Sequence, residues 1–272
     1  MPHVGGVSAT CFTDPYCAWC WAVEPHLRRL SVEFDETVRV TFVVAGLAAR
    51  FGDARARAID CVAASDASAM PIDPRIFLED PPSSSHPAGL AVAAVAEQAD
   101  PARYLRRLRE AILLERRRMD SAPALLEVAR EVGGLDLDRL RIDFGSNAIV
   151  EAFGGQLQAA RDVGAEHHEP GTDRVALPSI EFRSADGTIH GVYGYAPYES
   201  WREAALAAGA VAVDSRPTVE DAVRRFGPVA TAEVAAACDM AGPRAPAELW
   251  RLALEWRLTP RRVPGGELWR AA

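Results

Sequence analysis

Residues 13–21 read T-D-P-Y-C-A-W-C-W and set Cys17 and Cys20 with two residues between them. Before them Val7, Ala9 and Cys11 alternate at the period of a strand, and after them Trp21, Glu24, Leu27 and Arg28 recur at the period of a helix. The pair therefore belongs where a strand turns into a helix. The first turn of a helix offers free backbone N–H groups and the positive end of the macrodipole, both of which favour a thiolate. On this reading Cys17 is the nucleophile, with a lowered pKa, and Cys20 is the resolving thiol that attacks a mixed disulfide on Cys17. Two ordinary buried cysteines, or half of a zinc site, are the alternatives. A structural zinc needs four ligands, yet Cys11, Cys61 and Cys238 stand singly, with no second C-x-x-C and no His pair at finger spacing. Neither a metal nor a cofactor is expected.

At 272 residues the chain exceeds one average domain, which predicts a large unit and a small one. A hydrophobic share of 49% and a charged share of 25% are those of a soluble globular protein. All 30 basic residues are arginine, and the formal net charge of −8 argues against general affinity for nucleic acid or an anionic membrane. Residues 1–10 lack the basic and apolar regions of a secretory signal, and no apolar run reaches transmembrane length. The expectation is a cytoplasmic protein. There the pair rests as a dithiol and serves as reductant, isomerase or sensor, with the other three of five cysteines as packing residues.

The pattern predicts a helix over 19–34, kinked or started late at Pro25, and a buried strand over 38–44, which together with the first strand make a right-handed βαβ unit. Residues 47–82 hold Pro71, Pro74, Pro81 and Pro82 and read as irregular, apart from a short helix near 54–65. From residue 83 the pattern is helical for about eighty residues. One of these helices carries Tyr104, Leu105, Leu108, Ala111 and Ile112 on its apolar face, and the arginines 103, 106, 107 and 116–118 read as a solvated stripe paired with Glu110 and Glu115. Strands return at 179–182 and 188–193 around the turn Asp186-Gly187, and a helix follows over 197–208. Strand, helix and strand, a helical block, then hairpin and helix make an α/β fold of thioredoxin type with a large helical insertion at about 47–165.

In that architecture the hairpin begins with a proline packed against the cysteines. Pro178, in A-L-P-S-I-E-F, is expected to be cis and in contact with Cys17, leaving backbone groups of Leu177 free to pair with an extended substrate. A trans proline at an edge strand is the alternative. Trp21 reads as core. Trp19, between the cysteines, reads as a partly exposed contact for substrate. His86, at the head of the first long insertion helix, either reaches the site or serves as a surface cap.

With Y-C-A-W-C-W, E-D-P-P-S-S-S-H-P-A and A-L-P-S-I placed, the chain resembles the DsbA-like thioredoxin-fold oxidoreductases over residues 1–210, and most of all their FrnE-type cytoplasmic branch of predicted dithiol-disulfide isomerases. The resemblance implies Cys17 as nucleophile, Cys20 as resolving thiol and Pro178 as the cis-proline. Two departures stand out. Ala18 and Trp19 replace the Pro-His of strongly oxidising relatives, and Cys11 occupies the position six before the nucleophile where a buried acid is common. Proton transfer at Cys20 then falls to Asp14, Glu24 or water.

Residues 217–272, set off from a thioredoxin unit of 1–213, predict three helices and a two-stranded wing around Gly265-Gly266, a small winged-helix-like unit. Eight arginines against seven acids give it too little positive charge for DNA, so a protein contact, substrate docking or a homodimer is expected instead. The leading function is thiol-disulfide exchange on a disulfide-containing protein or a small thiol. A non-catalytic adaptor presenting a partner protein, or a glutathione-dependent small-molecule isomerase, is the alternative.

Overall fold

Strand β1 (Val7–Thr13) leads into two helices, α1 (Ala18–Ala22) and α2 (Glu24–Glu33), and then into β2 (Val38–Val44), in a computed structural model that describes residues 6–272. The reading of residues 1–10 as free of a leader falls partly outside the described residues. β1 and β2 are parallel, paired from Val7 with Val38 to Thr13 with Val44. The single helix expected over 19–34 is broken at Val23. Pro25 lies in the first turn of α2, where its missing N–H costs no hydrogen bond.

The helical block is α3 (Ala54–Ser68), α4 (Ile76–Glu79), α5 (His86–Ala96), α6 (Ala102–Leu113), α7 (Ala122–Val132), α8 (Leu137–Asp143) and α9 (Asn147–Arg161). The segment expected to be largely irregular thus holds a longer helix and an extra turn, with Asp53 capping α3 through the N–H groups of Arg55 and Ala56. Tyr104, Leu105, Leu108, Ala111 and Ile112 are buried as the α6 pattern predicts. Its arginines are not all a solvated stripe: Arg106 turns inward onto Glu24, Glu110 and Glu233.

β3 (Ser179–Arg183) and β4 (Ile189–Tyr193) form the hairpin, and Gly187 adopts the φ of 90° that the turn demands. They complete a four-stranded sheet in the order β2-β1-β3-β4, with β3 antiparallel to both neighbours. Helix α10 (Tyr198–Ala207) buries Trp201 with Leu30, Phe34, Ile180 and Phe182. A smaller cluster gathers Phe12, Val175 and Leu177 around the two cysteines. That cluster holds the site.

The chain ends in α11 (Val219–Phe226), β5 (Val229–Ala230), α12 (Thr231–Ala237), α13 (Arg244–Leu254), β6 (Leu258–Val263) and β7 (Gly266–Ala271). The expected two-stranded hairpin gains β5 as a third strand, in the order β5-β7-β6. Trp269 fills the core of this segment with Val223, Leu249 and Leu252. The segment is joined to the rest both by Ala230 and Leu268, which share the core of the helical block, and by Glu233 of α12, which accepts from Arg28 of α2 at 3.0 Å and Arg106 of α6 at 2.8 Å. Among the described residues no helix is long and apolar enough to cross a membrane.

Candidate active site

The end of β1 and the start of α1 are joined by a tight turn in which the Cys17 N–H donates to the Asp14 carbonyl at 3.2 Å. Cys17 is the cap of α1, its Sγ accepting the Cys20 N–H at 3.2 Å. Both are free thiols and both are buried, Cys17 to 4% exposure and Cys20 to 1%. Cys17 nevertheless borders a cleft of about 600 Å³ that Trp19, Leu47, Arg174, Leu177 and Tyr195 also line. Cys20 does not line the cleft and lies behind Cys17. This ordering suits a first thiol that meets the substrate and a second that meets only the first.

The electrostatics differ from the sequence expectation at Cys17. Burial raises its thiol well above the ordinary value, and its proximity to Cys20 and Asp14 raises it further, so the lowered pKa expected there is not found. Burial pushes Cys20 up as well, but a hydrogen bond with Cys17, the charge of Arg109 and a hydrogen bond with Thr13 outweigh it and hold Cys20 below the ordinary thiol value. Of the two thiols, Cys20 is the one whose surroundings favour the anion. The helix start is outcompeted because Cys17, largely buried, has only one backbone N–H on its sulfur, while Cys20 has a guanidinium nearby.

That guanidinium is the residue the sequence reading missed. Arg109, 1% exposed, comes from α6 and donates to Glu24 Oε1 at 2.5 Å and to the Thr13 hydroxyl. Glu24 is bridged also by Arg28 at 3.0 Å and Arg106 at 3.3 Å. Burial raises this carboxyl, but Arg28, Arg106 and Arg109 overcome it and bring it down to about 2. A signal was present: Arg109 interrupts the apolar stripe of Leu105, Leu108 and Ile112, where a charge must find a buried partner. Asp14, the other acid considered, accepts from Tyr16 N–H at 2.9 Å, Leu47 N–H at 2.7 Å and Ser85 Oγ at 2.9 Å. Its burial dominates these bonds and raises its pKa.

The structure brings together Cys17, Trp19 and Leu177 at the cleft. Trp19 is half-buried, and its ring centroid lies 4.8 Å from that of Tyr195, a partner that no local sequence pattern indicates. Trp21 is core, its indole N–H donating to the Pro71 carbonyl at 2.9 Å while Arg106 lies 4.2 Å from its ring centroid. The Leu177–Pro178 peptide is cis, and the Leu177 N–H and C=O have no hydrogen-bond partner among the described residues. His86 is not brought to the cleft. Although Ser85 beside it bonds to Asp14, the His86 ring packs edge-on against Phe153 of α9 at 5.4 Å, because α5 packs alongside α9.

A family model described as thioredoxin matches residues 11–172. Two proteins described as ClpXP adapter protein SpxH, from Halalkalibacterium halodurans and Shouchella clausii, are 26% and 29% identical over 275 residues. Each match covers 95% of this chain, and 87% and 86% of the respective relatives. Among solved structures, a Nitrosomonas europaea protein described as a candidate protein disulfide isomerase superposes with a TM-score of 0.62 at 16% identity, over 74% of this chain and 96% of that one. Cytosolic disulfide reductase DsbM from Pseudomonas aeruginosa superposes with a TM-score of 0.55 at 22% identity, over 68% and 88%.

Proposed function

Because this chain belongs to the thioredoxin family and has a DsbA-like fold, we propose that it is a cytoplasmic thiol-disulfide oxidoreductase or isomerase acting through Cys17 and Cys20. The observation that carries the reading is the arrangement of the pair: one sulfur at a cleft, its partner behind it, and a buried cation favouring the anion on the partner. The shared hydrogen bond lets the Cys17 proton pass to Cys20 as Cys17 attacks a substrate disulfide. A bond forms between Cys17 Sγ and one substrate sulfur, and the other leaves as a thiolate. Arg109 and Thr13 then favour loss of that proton from Cys20, whose anion attacks Cys17 Sγ, expels the second substrate thiolate and closes the Cys17–Cys20 disulfide. The substrate is reduced by the two electrons the pair gives up. In an isomerase another thiolate of the substrate attacks the mixed disulfide first, and the pair returns reduced.

The cleft supplies the binding surface for a disulfide-containing protein or a small thiol. Leu177 offers backbone groups for an extended segment, Pro178 is the proline beside them, and Trp19 with Tyr195 offers an aromatic wall. Assignment to the FrnE-type branch rests on the D-P-Y-C-A-W-C-W string. We read 1–213 as the exchange unit and 217–272 as a winged-helix-like unit for protein contact. The test is reduction of insulin disulfides and repair of a scrambled disulfide protein by wild type and Cys17→Ser. Activity lost in the variant is the expected result; equal inertness of both overturns the proposal. A second reading, a non-catalytic adaptor, is supported by the likeness to ClpXP adapter proteins along nearly the whole chain. Partner capture that survives Cys17→Ser with Cys20→Ser favours it.

A further inference from the structure

A groove of about 850 Å³ lies along α6 and the end of α7, facing the end of α11 and the β6–β7 hairpin. Seven arginines and three glutamates line it, in a chain whose formal charge is −8. The glutamates account for three of those cations: Arg106 with Glu110, Arg107 with Glu115 and Glu131, and Arg261 with Glu115. Arg224 and Arg225 reach instead to Glu220 and Asp35, neither of which lines the groove. Arg103 of α6 and Arg270 of β7 are exposed and have no carboxylate within 4.0 Å among the described residues. Between the charges the lining is apolar, with Val132, Phe226, Pro228, Pro260 and Leu268.

From this we infer that the groove docks an acidic segment of a partner protein, its carboxylates meeting Arg103 and Arg270 and an apolar side chain seated on Phe226, Pro228 and Pro260. The volume is within the range of about 300–1,000 Å³ usual for sites that enclose a ligand. A nucleic acid fits the same groove poorly. Its phosphates, spaced along every nucleotide, run into Glu115 and Glu131, whereas a peptide distributes its acids and turns an apolar residue inward. The groove is formed jointly by the helical block and the C-terminal segment, so neither presents it alone.

The probe is a fluorescent acetyl-EDELFEDE-amide peptide titrated with the full chain by anisotropy, beside its analogue with Gln and Asn for Glu and Asp, and beside labelled oligothymidylate. The acidic peptide is expected to bind, to weaken as salt rises, and to lose about tenfold or more in R103E with R270E. R262E, an exposed arginine on β6 that does not line the groove, is expected to leave its affinity unchanged. Equal binding of the neutral analogue, an undiminished affinity in R103E with R270E, an equal loss in R262E, or tighter binding of oligothymidylate each overturns the inference. Both target side chains are exposed, and matching thermal unfolding of the variants checks that the fold is retained.

Discussion

Asp14 and Glu24 are carboxyl groups buried on either side of the cysteine pair, and they are pushed in opposite directions. Asp14 is surrounded by two backbone N–H groups and a serine hydroxyl, dipoles that stabilise a charge less than burial destabilises it. Glu24 is surrounded by three guanidinium groups, and full charges reverse the outcome. Burial therefore sets the direction at Asp14 and is overruled at Glu24. The difference extends to the thiols: the carboxyl of Asp14 works against an anion on Cys17, while Arg109, shared with Glu24, works for one on Cys20.

Removing Arg109 breaks this contrast most severely. Arg109→Met leaves Glu24 short of a partner and is expected to cost about 3–5 kcal/mol in denaturant unfolding. Arg109→Lys, which restores a charge, should recover part of that loss. In Cys17→Ser, where Cys20 titrates alone, adding Arg109→Met should raise the Cys20 pKa, read by ultraviolet thiolate absorbance against pH. An unmoved thiolate curve would show that Arg109 is only structural.

A smaller effect is expected at Glu24. Its folded value of about 2 lies below the ordinary 4.5, so the unfolded chain binds more protons between them and stability rises with pH through that window. The contribution, about 3 kcal/mol, is fully present above pH 4.5 and is lost as pH falls toward 2. Glu24→Gln should flatten that acid limb in unfolding measured from pH 2 to 7. A retained slope would assign it to other carboxylates.

Asp14→Asn is the mildest and sharpens the comparison from the other side. The sign is opposite: with its folded value raised above 3.8, the native state holds a proton that the unfolded chain releases, and stability falls as pH rises through that interval. The substitution should remove that fall and cost about 1 kcal/mol through disturbed hydrogen bonds. It should also bring the Cys17 thiol down, read as faster alkylation at a given pH, because the Asp14 charge is one of the influences raising it.

Much of the architecture was legible before any coordinates. Alternation over β1 and β2 and the Asp186-Gly187 turn are local signals, and each coincides with the element it announces. The unread parts were those in which distant segments meet. Nothing near Trp19 named Tyr195 as its neighbour. His86 read as either a surface cap or a site residue, and only the packing of α5 beside α9 turned it toward Phe153.

By themselves, the residues of T-D-P-Y-C-A-W-C-W and the periods flanking it determined that two thiols stand at a strand-to-helix junction, because covalent spacing and backbone geometry operate within a few residues. Which thiol is the better place for a negative charge was decided only by tertiary structure. An electric field depends on distance through space, and the arginine that supplies it here is 89 positions along the chain from Cys20.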